Sequence, residues 1–220
     1  VGCLVSKNKV FAAGDDGLDF NGTDCVVEKN LVHKPIEDGL DIADTPPGGG
    51  NTFEANRFIK PGAFGVIIKG DANVLRDNKV VQCVQRAFHV ISGTGHVLED
   101  NLVAKSGNDG VRVEPEASGV SILDNHFRKP GDDGVEVDGP DVVVDGNKVS
   151  GAVEDGFEVD GTGGLYTDNK ATGCKESGFQ ISEGTGNTLT GNKAKGNQDF
   201  DLLDLQPGLN DIDLEANDFG

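Results

Sequence analysis

VVVDGNKVSGAVEDGFEVDG, residues 142–161, sets Asn147 between Val144 and Val149 and follows it with a second apolar pair, Phe157 and Val159. The same frame runs down the whole chain. Asn stands at 8, 30, 56, 78, 101, 125, 147, 169, 192 and 217, at intervals of 22 to 26 residues. Three residues before each Asn comes Val5, Val27, Phe53, Leu75, Leu98, Ile122, Val144, Tyr166, Leu189 or Leu214. Two residues after it comes Val10, Val32, Phe58, Val80, Val103, Phe127, Val149, Ala171, Ala194 or Phe219. Ten and twelve residues after it stand apolar pairs from Leu18/Phe20 to Phe179/Ile181. Apolar residues two apart, with a polar one between, are the pattern of a half-buried strand.

Turn chemistry punctuates each unit. Gly precedes the second apolar pair at Gly17, Gly39, Gly65, Gly110, Gly134, Gly156 and Gly178, and is expected to supply a sharp turn with unusual dihedrals. Pro35, Pro61 and Pro130 share a column five residues after the Asn. Units of this length, each with short strands and tight turns, stack as a solenoid in which equivalent residues superpose and Asn can form a hydrogen-bonded ladder. The prediction is an all-β fold: one parallel β-helix domain over 1–220 of about ten rungs. Leucine-rich repeats share the spacing of Val142, Val144, Asn147 and Val149, but the rest of that repeat should be helical or Leu-rich. Here it is a Gly-led β-branched strand.

This frame resembles the right-handed parallel β-helix of the pectin-lyase-like superfamily, and the resemblance covers essentially the whole chain. It implies that the Asn falls in the turn between the second and third sheets. The Gly-led strand then lies in the first sheet, whose outer face carries the substrate groove. The unit after Asn192 (QDFDLLDL, 198–205) reads as slipped by one residue, and Asp44 to Gly50 (DTPPGGG) is the longest insertion, placed to wall one end of a groove. Both ends fall inside a rung, so the open ends are expected to be capped or to associate end to end.

Composition removes several function classes. The 220 residues carry 38 acids against 19 Lys and Arg, a formal charge of −19, which argues against nucleic acid or an anionic membrane as the main partner. No 18-residue apolar run exists, and the four Cys hold no C-x-x-C pair. Cys3 and Cys25 share one column on successive rungs, where either a disulfide or a pair of buried thiols fits. Cys83 and Cys174 share a turn column four rungs apart, too far to pair.

Two groups of residues could carry chemistry. The turn column holds stacked acids: Asp15, Asp16, Asp38, Asp109, Asp132, Asp133, Glu154 and Asp155. Paired carboxyls suit acid/base hydrolysis, and clusters of hard oxygens suit Ca²⁺, here through Asp132, Asp133, Glu154 and Asp155. Gly14-Asp15-Asp16-Gly17 and Gly131-Asp132-Asp133-Gly134 resemble the Asp-Asp turns of the superfamily's pectin-degrading hydrolases, which makes Asp15, Asp16 and Asp38 a candidate inverting set. Their Gly-His-Gly turn and Arg-Ile-Lys strand are absent. Because Asp-Gly recurs in five rungs, it also serves simply as the turn of the repeat.

On the outer face of the Gly-led strands, Lys69, Arg86, His89 and Arg112 gather on three consecutive rungs between acidic ones. The cluster resembles the groove of polysaccharide lyases and epimerases, where cations neutralise a uronate carboxylate and a base takes the C5 proton. That resemblance implies His89 as base, Arg86 and Arg112 as neutralising groups, Asp109 and Asp133 orienting them or binding Ca²⁺, and Lys69, Asp41 and Glu136 contacting substrate. The expected function is an extracellular enzyme acting on an anionic, uronate-containing polysaccharide by β-elimination or C5 epimerisation, with Ca²⁺ assistance. The alternatives are a non-catalytic solenoid with a salt-bridge ladder, and the hydrolase.

Overall fold

A computed structural model describes residues 2–43 and 49–220; most of the Asp44–Gly50 insertion lies outside the described residues. The described chain is wound into three long parallel sheets, with ten, ten and nine strands. One sheet holds the strands before each ladder Asn, such as Val143–Asp145. A second holds the strands after it, such as Lys148–Ser150. The third holds the Gly-led strands, such as Phe157–Val159. They are called here the pre-Asn, post-Asn and Gly-led sheets. Every strand pairs with its counterpart one rung away, as Val143↔Leu165, Lys148↔Lys170 and Phe157↔Phe179 show. Among the described residues no helix is long and apolar enough to cross a membrane.

The core is built from the alternating columns. Phe53, Phe58, Phe88, Phe127, Tyr166 and Phe179 are fully buried in one continuous cluster of Val, Leu and Ile. Each such side chain contributes about 1.5–3 kcal/mol on burial. Tyr166 is therefore a core residue, and its hydroxyl has no partner. The ladder runs the length of this core. Asn101 Oδ1 accepts the backbone N–H and the Nδ2 of Asn78 at 2.9 and 3.1 Å, while Asn101 Nδ2 donates to the Leu75 carbonyl at 2.8 Å.

A second inner ladder, unread in the sequence, lies five residues before the first. Asn51 Oδ1 accepts the N–H of Cys25, Asn73 Oδ1 accepts that of Asn51, and His96 Nδ1 accepts that of Asn73. His96 Nε2 lies 3.0 Å from the Ser92 carbonyl, to which it donates, so this buried histidine is structural. The column continues outward to Cys25 and Cys3, which form a disulfide, whereas Cys83 and Cys174 are free and buried.

Three expectations change. The glycines before the Gly-led strands do not have positive φ; the left-handed residues sit at the corners, at Lys105, Asp124 and Asp141 among others. Gly is required instead by close stacking: a Cβ at Gly17 would stand 2.8 Å from the Gly39 carbonyl oxygen and would overlap Val32. The unit after Asn192 does not slip, because Leu202 pairs with Phe179 at the regular position. In the last rung Ile212, not Leu214, pairs with Leu189, and Leu214 is exposed.

Candidate functional site

The Gly-led sheet presents its outer face through residues that alternate with core positions. His89, Arg112 and Glu136 stand in register on strands Phe88–Val90, Val111–Val113 and Val135–Val137, while the flanking Phe and Val residues point inward. Arg112 is the hub. Its Nη1 donates to Glu136, its Nη2 donates to Asp138 at 2.5 Å, and its Nε lies 3.2 Å from Glu114 Oε1. Burial works against the guanidinium charge, but Glu136, Asp138 and Glu114 outweigh it and hold Arg112 above its ordinary pKa.

His89 Nε2 lies 2.6 Å from Glu114 Oε1, and its ring stacks on Phe64 at 5.0 Å between centroids. Burial would raise the Glu114 pKa, yet His89 and Arg112 bring it below the usual value, so Glu114 is a carboxylate and Nε2 carries the proton. Burial lowers the imidazole pKa against the pull of Glu114, with Arg86 and Arg112 adding to the lowering. The ring is neutral at pH 7, and its bare nitrogen is Nδ1, which is buried and has no partner. A base oriented through its other nitrogen by a carboxylate is the arrangement that general-base chemistry needs.

Beside this face runs the turn column. Arg86 Nε donates to Asp109 Oδ2 at 2.7 Å, and Asp109 Oδ1 is buried without a partner. Oxygens of Asp109, Asp133 and Glu136 come within 4.8 Å of one another. Burial raises all three: Asp109 upward despite Arg86, Asp133 to about 10, and Glu136 to about 8 with Asp109 adding to the effect. The sequence therefore places Arg86, His89, Arg112, Asp109, Asp133 and Glu136 together. Lys69 and Asp41 form their own pair at 3.2 Å, separated from His89 by the buried Ile67. Glu114, Asp138 and Phe64, which complete the cluster, were passed over as candidates. The position thirteen residues after each Asn, which holds Glu114 and Asp138, was the signal available for two of them.

The remaining acids serve the turn. Asp16 Oδ1 accepts the N–H of Asp38, Asp38 that of Phe64, Asp133 that of Asp155, and Asp155 that of Ser177, at 2.5–2.8 Å. These carboxyl groups repeat, one corner away, what the Asn ladder does. Asp16 and Asp38 lie on adjacent rungs, and one oxygen each of Asp16, Asp38 and Asp41 come within 4.8 Å of one another. Asp15, Asp16 and Glu37 form a further cluster, and so do Asp132, Asp133 and Glu154, whose Glu154 burial and Asp132 raise to about 7. Asp155 falls outside that last cluster.

Residues 64–210 match the family described as a right handed beta helix region. The chain belongs to that family. No curated protein matches the sequence. Among solved structures, this β-helix is similar to the pectate lyase Pel9A (TM-score 0.78, 13% identity), covering 100% of this chain and 70% of that one. It is also similar to the catalytic unit of a GH87 α-1,3-glucanase from Streptomyces thermodiastaticus (TM-score 0.70, 14% identity, 99% and 47%). A third is the A-module of the mannuronan C-5 epimerase AlgE4 from Azotobacter vinelandii (TM-score 0.68, 14% identity, 90% and 61%). This β-helix spans about half of the glucanase unit and about three fifths of the epimerase module. At these identities the likeness is one of fold.

The raised carboxyls give this β-helix a definite pH response. In the unfolded chain they hold protons only below about 4. Folded Asp133 keeps its proton to about 10 and Glu136 to about 8. The folded state therefore binds more protons across that interval, and stability falls as pH rises through it. With chelator present, the melting temperature is expected to decline from pH 5 to pH 9. Asp133→Asn, which keeps the acceptor for Asp155 N–H, is expected to melt roughly 3–6 °C above wild type at pH 8, and the gain should vanish near pH 4. Differential scanning calorimetry across pH measures both, and a wild-type melting temperature that rises toward pH 9 would contradict the assignment.

Proposed function

We propose that the outer face of the Gly-led sheet is the working surface of an extracellular enzyme that cleaves or epimerises uronate-containing polysaccharide. The observation that carries this reading is the Glu114–His89 dyad beside two arginines on adjacent rungs, with the imidazole neutral and Nδ1 unclaimed. In this reading His89 is the base that takes the C5 proton, acting once substrate binding uncovers Nδ1, which is buried in this structure. Glu114 fixes the tautomer and steadies the imidazolium that forms. Arg86 and Arg112 lower the cost of the negative charge that develops on the uronate carboxylate as the proton leaves. Phe64 holds the imidazole plane. The similar pectate lyase and mannuronan epimerase support this substrate class, and the Cys3–Cys25 disulfide supports an oxidising compartment.

Ca²⁺ fits the same surface. Asp109, Asp133 and Glu136 offer converging oxygens, one of them the unpartnered Asp109 Oδ1, and their mutual crowding is what a divalent cation relieves. When bound, Ca²⁺ would supply positive charge against the substrate carboxylate. A second reading, a non-catalytic solenoid, is favoured by one observation: Arg112, Arg86 and Lys69 are all already paired within the chain.

Incubation with polygalacturonate, alginate and neutral dextran, with Ca²⁺ and then with chelator, separates the readings. Unsaturated-product absorbance or C5 proton exchange on the uronates alone is the expected result. Reducing ends without unsaturation would move the chemistry to a hydrolase, and silence in every channel would leave the structural solenoid.

A further inference from the structure

The chain's positive charge is not scattered. Positions one, three and four residues after the ladder Asn form the outer face and the following corner of the post-Asn sheet, and they carry twelve of the 19 Lys and Arg residues with a single acid, Asp218. In a chain of −19 this one face is strongly basic. Among the described residues none of the twelve forms an ion pair, and all but Lys79 are exposed. Lys148, Lys170 and Lys193 lie directly beside one another on adjacent strands. Like charges in register cost stability, and acids are plentiful elsewhere on the surface, so the fold gains nothing from this column. A hollow of about 420 Å³ opens along its corner, bordered by Lys105, Arg128 and Lys129. It opens because the corner column changes there from Lys to Gly151 and Gly173.

We propose that the post-Asn sheet is a second binding surface, for a linear anionic polysaccharide lying along the solenoid axis. It stands apart from the Gly-led face and does not depend on turnover there. The cations repeat at one strand spacing, about 4.8 Å, over nine rungs, a straight run of about 38 Å. That geometry fits an extended polymer with an anionic group at each repeat. Single-stranded nucleic acid fits less well: apart from Phe11 in the first rung, this face carries no exposed aromatic side chain on which bases could stack. A bilayer is a flat anionic surface that would repel the acidic remainder of the molecule, whereas a thin chain touches only the basic strip.

The test is equilibrium binding of the full chain to size-defined polygalacturonate, with chelator present so that no Ca²⁺ bridge contributes. The expected results are binding that weakens with added NaCl, no binding to neutral dextran, and at least about a tenfold loss of affinity in Lys148→Gln/Lys170→Gln/Lys193→Gln. Arg128→Gln/Lys129→Gln, on other strands, should lose affinity too, and Arg76→Gln, an exposed cation on the pre-Asn sheet and outside both faces, should bind as wild type does. The triple variant should melt no lower than wild type, because it removes a repulsion. Unchanged affinity in both basic-face variants would overturn the proposal. So would retention only on duplex DNA or on phosphatidylserine vesicles. Salt-sensitive dimerisation that the triple variant abolishes, with no polygalacturonate binding, would identify a second copy of the chain as the occupant instead.

Discussion

His89→Gln is expected to lower turnover of uronate polymer by about 10²–10⁴-fold while KM stays within about threefold. Gln can keep the packing on Phe64 and still donate to Glu114, but it has no basic nitrogen where Nδ1 stands. The loss therefore falls on the transition state and not on binding. The pH profile gives an independent readout. Because burial and the two arginines hold the imidazole below its ordinary value, the rising limb of kcat/KM should lie on the acid side of about 6.5. Glu114 acts through His89 as a positioning residue and raises its pKa. Glu114→Gln should accordingly shift that limb further to low pH, as well as reducing the rate. Full turnover in His89→Gln would remove the base from this face and with it the lyase and epimerase readings.

Asn101→Ala is expected to destabilise the fold by about 3 kcal/mol, or roughly 6–12 °C in melting temperature. The side chain satisfies the N–H and Nδ2 of Asn78, the carbonyl of Leu75 and the acceptor of Asn125, all in a buried corner. Alanine leaves the Asn78 N–H buried and unpaired and takes one bond each from Asn78 Nδ2, the Leu75 carbonyl and Asn125 Oδ1. Asn8→Ala provides the contrast. Asn8 is exposed at the first rung, where it only donates, to Asn30, so its loss should cost below about 1 kcal/mol. Thermal melts of the two variants decide it: equal losses would mean that the ladder is not a buried network.

Within the single turn column the acids differ in their partners. Asp133 and Asp155 are held by backbone N–H groups in a corner that every rung repeats, which explains Asp-Gly without any substrate. Asp109 departs from that pattern, since its neighbour on the previous rung is Arg86 and one of its oxygens is left over. A departure from the repeat is the place to look for function, because the stacking itself does not require it.

The amino-acid order alone determined the architecture, because a solenoid turns sequence spacing directly into spatial neighbourhood. Asn recurring with fixed apolar flanks places Val144 beside Tyr166 and Phe157 beside Phe179 without any long-range guess. It also brought Arg86, His89 and Arg112 to one face. What it left undecided was everything that depends on side-chain direction and on distances below one strand spacing. The Gly columns were legible, but whether dihedral or contact demanded them depended on the neighbouring carbonyl at Gly39. Cys3 and Cys25 were neighbours in either redox state. Arg112 could have faced solvent or its carboxylates; only packing shows it enclosed by Glu114, Glu136 and Asp138. The basic strip was written in the sequence as Asn-Lys at 8–9, 78–79, 147–148, 169–170 and 192–193, yet net charge averaged it away. The fold separates those lysines from the acids, because the corners turn consecutive residues onto different faces.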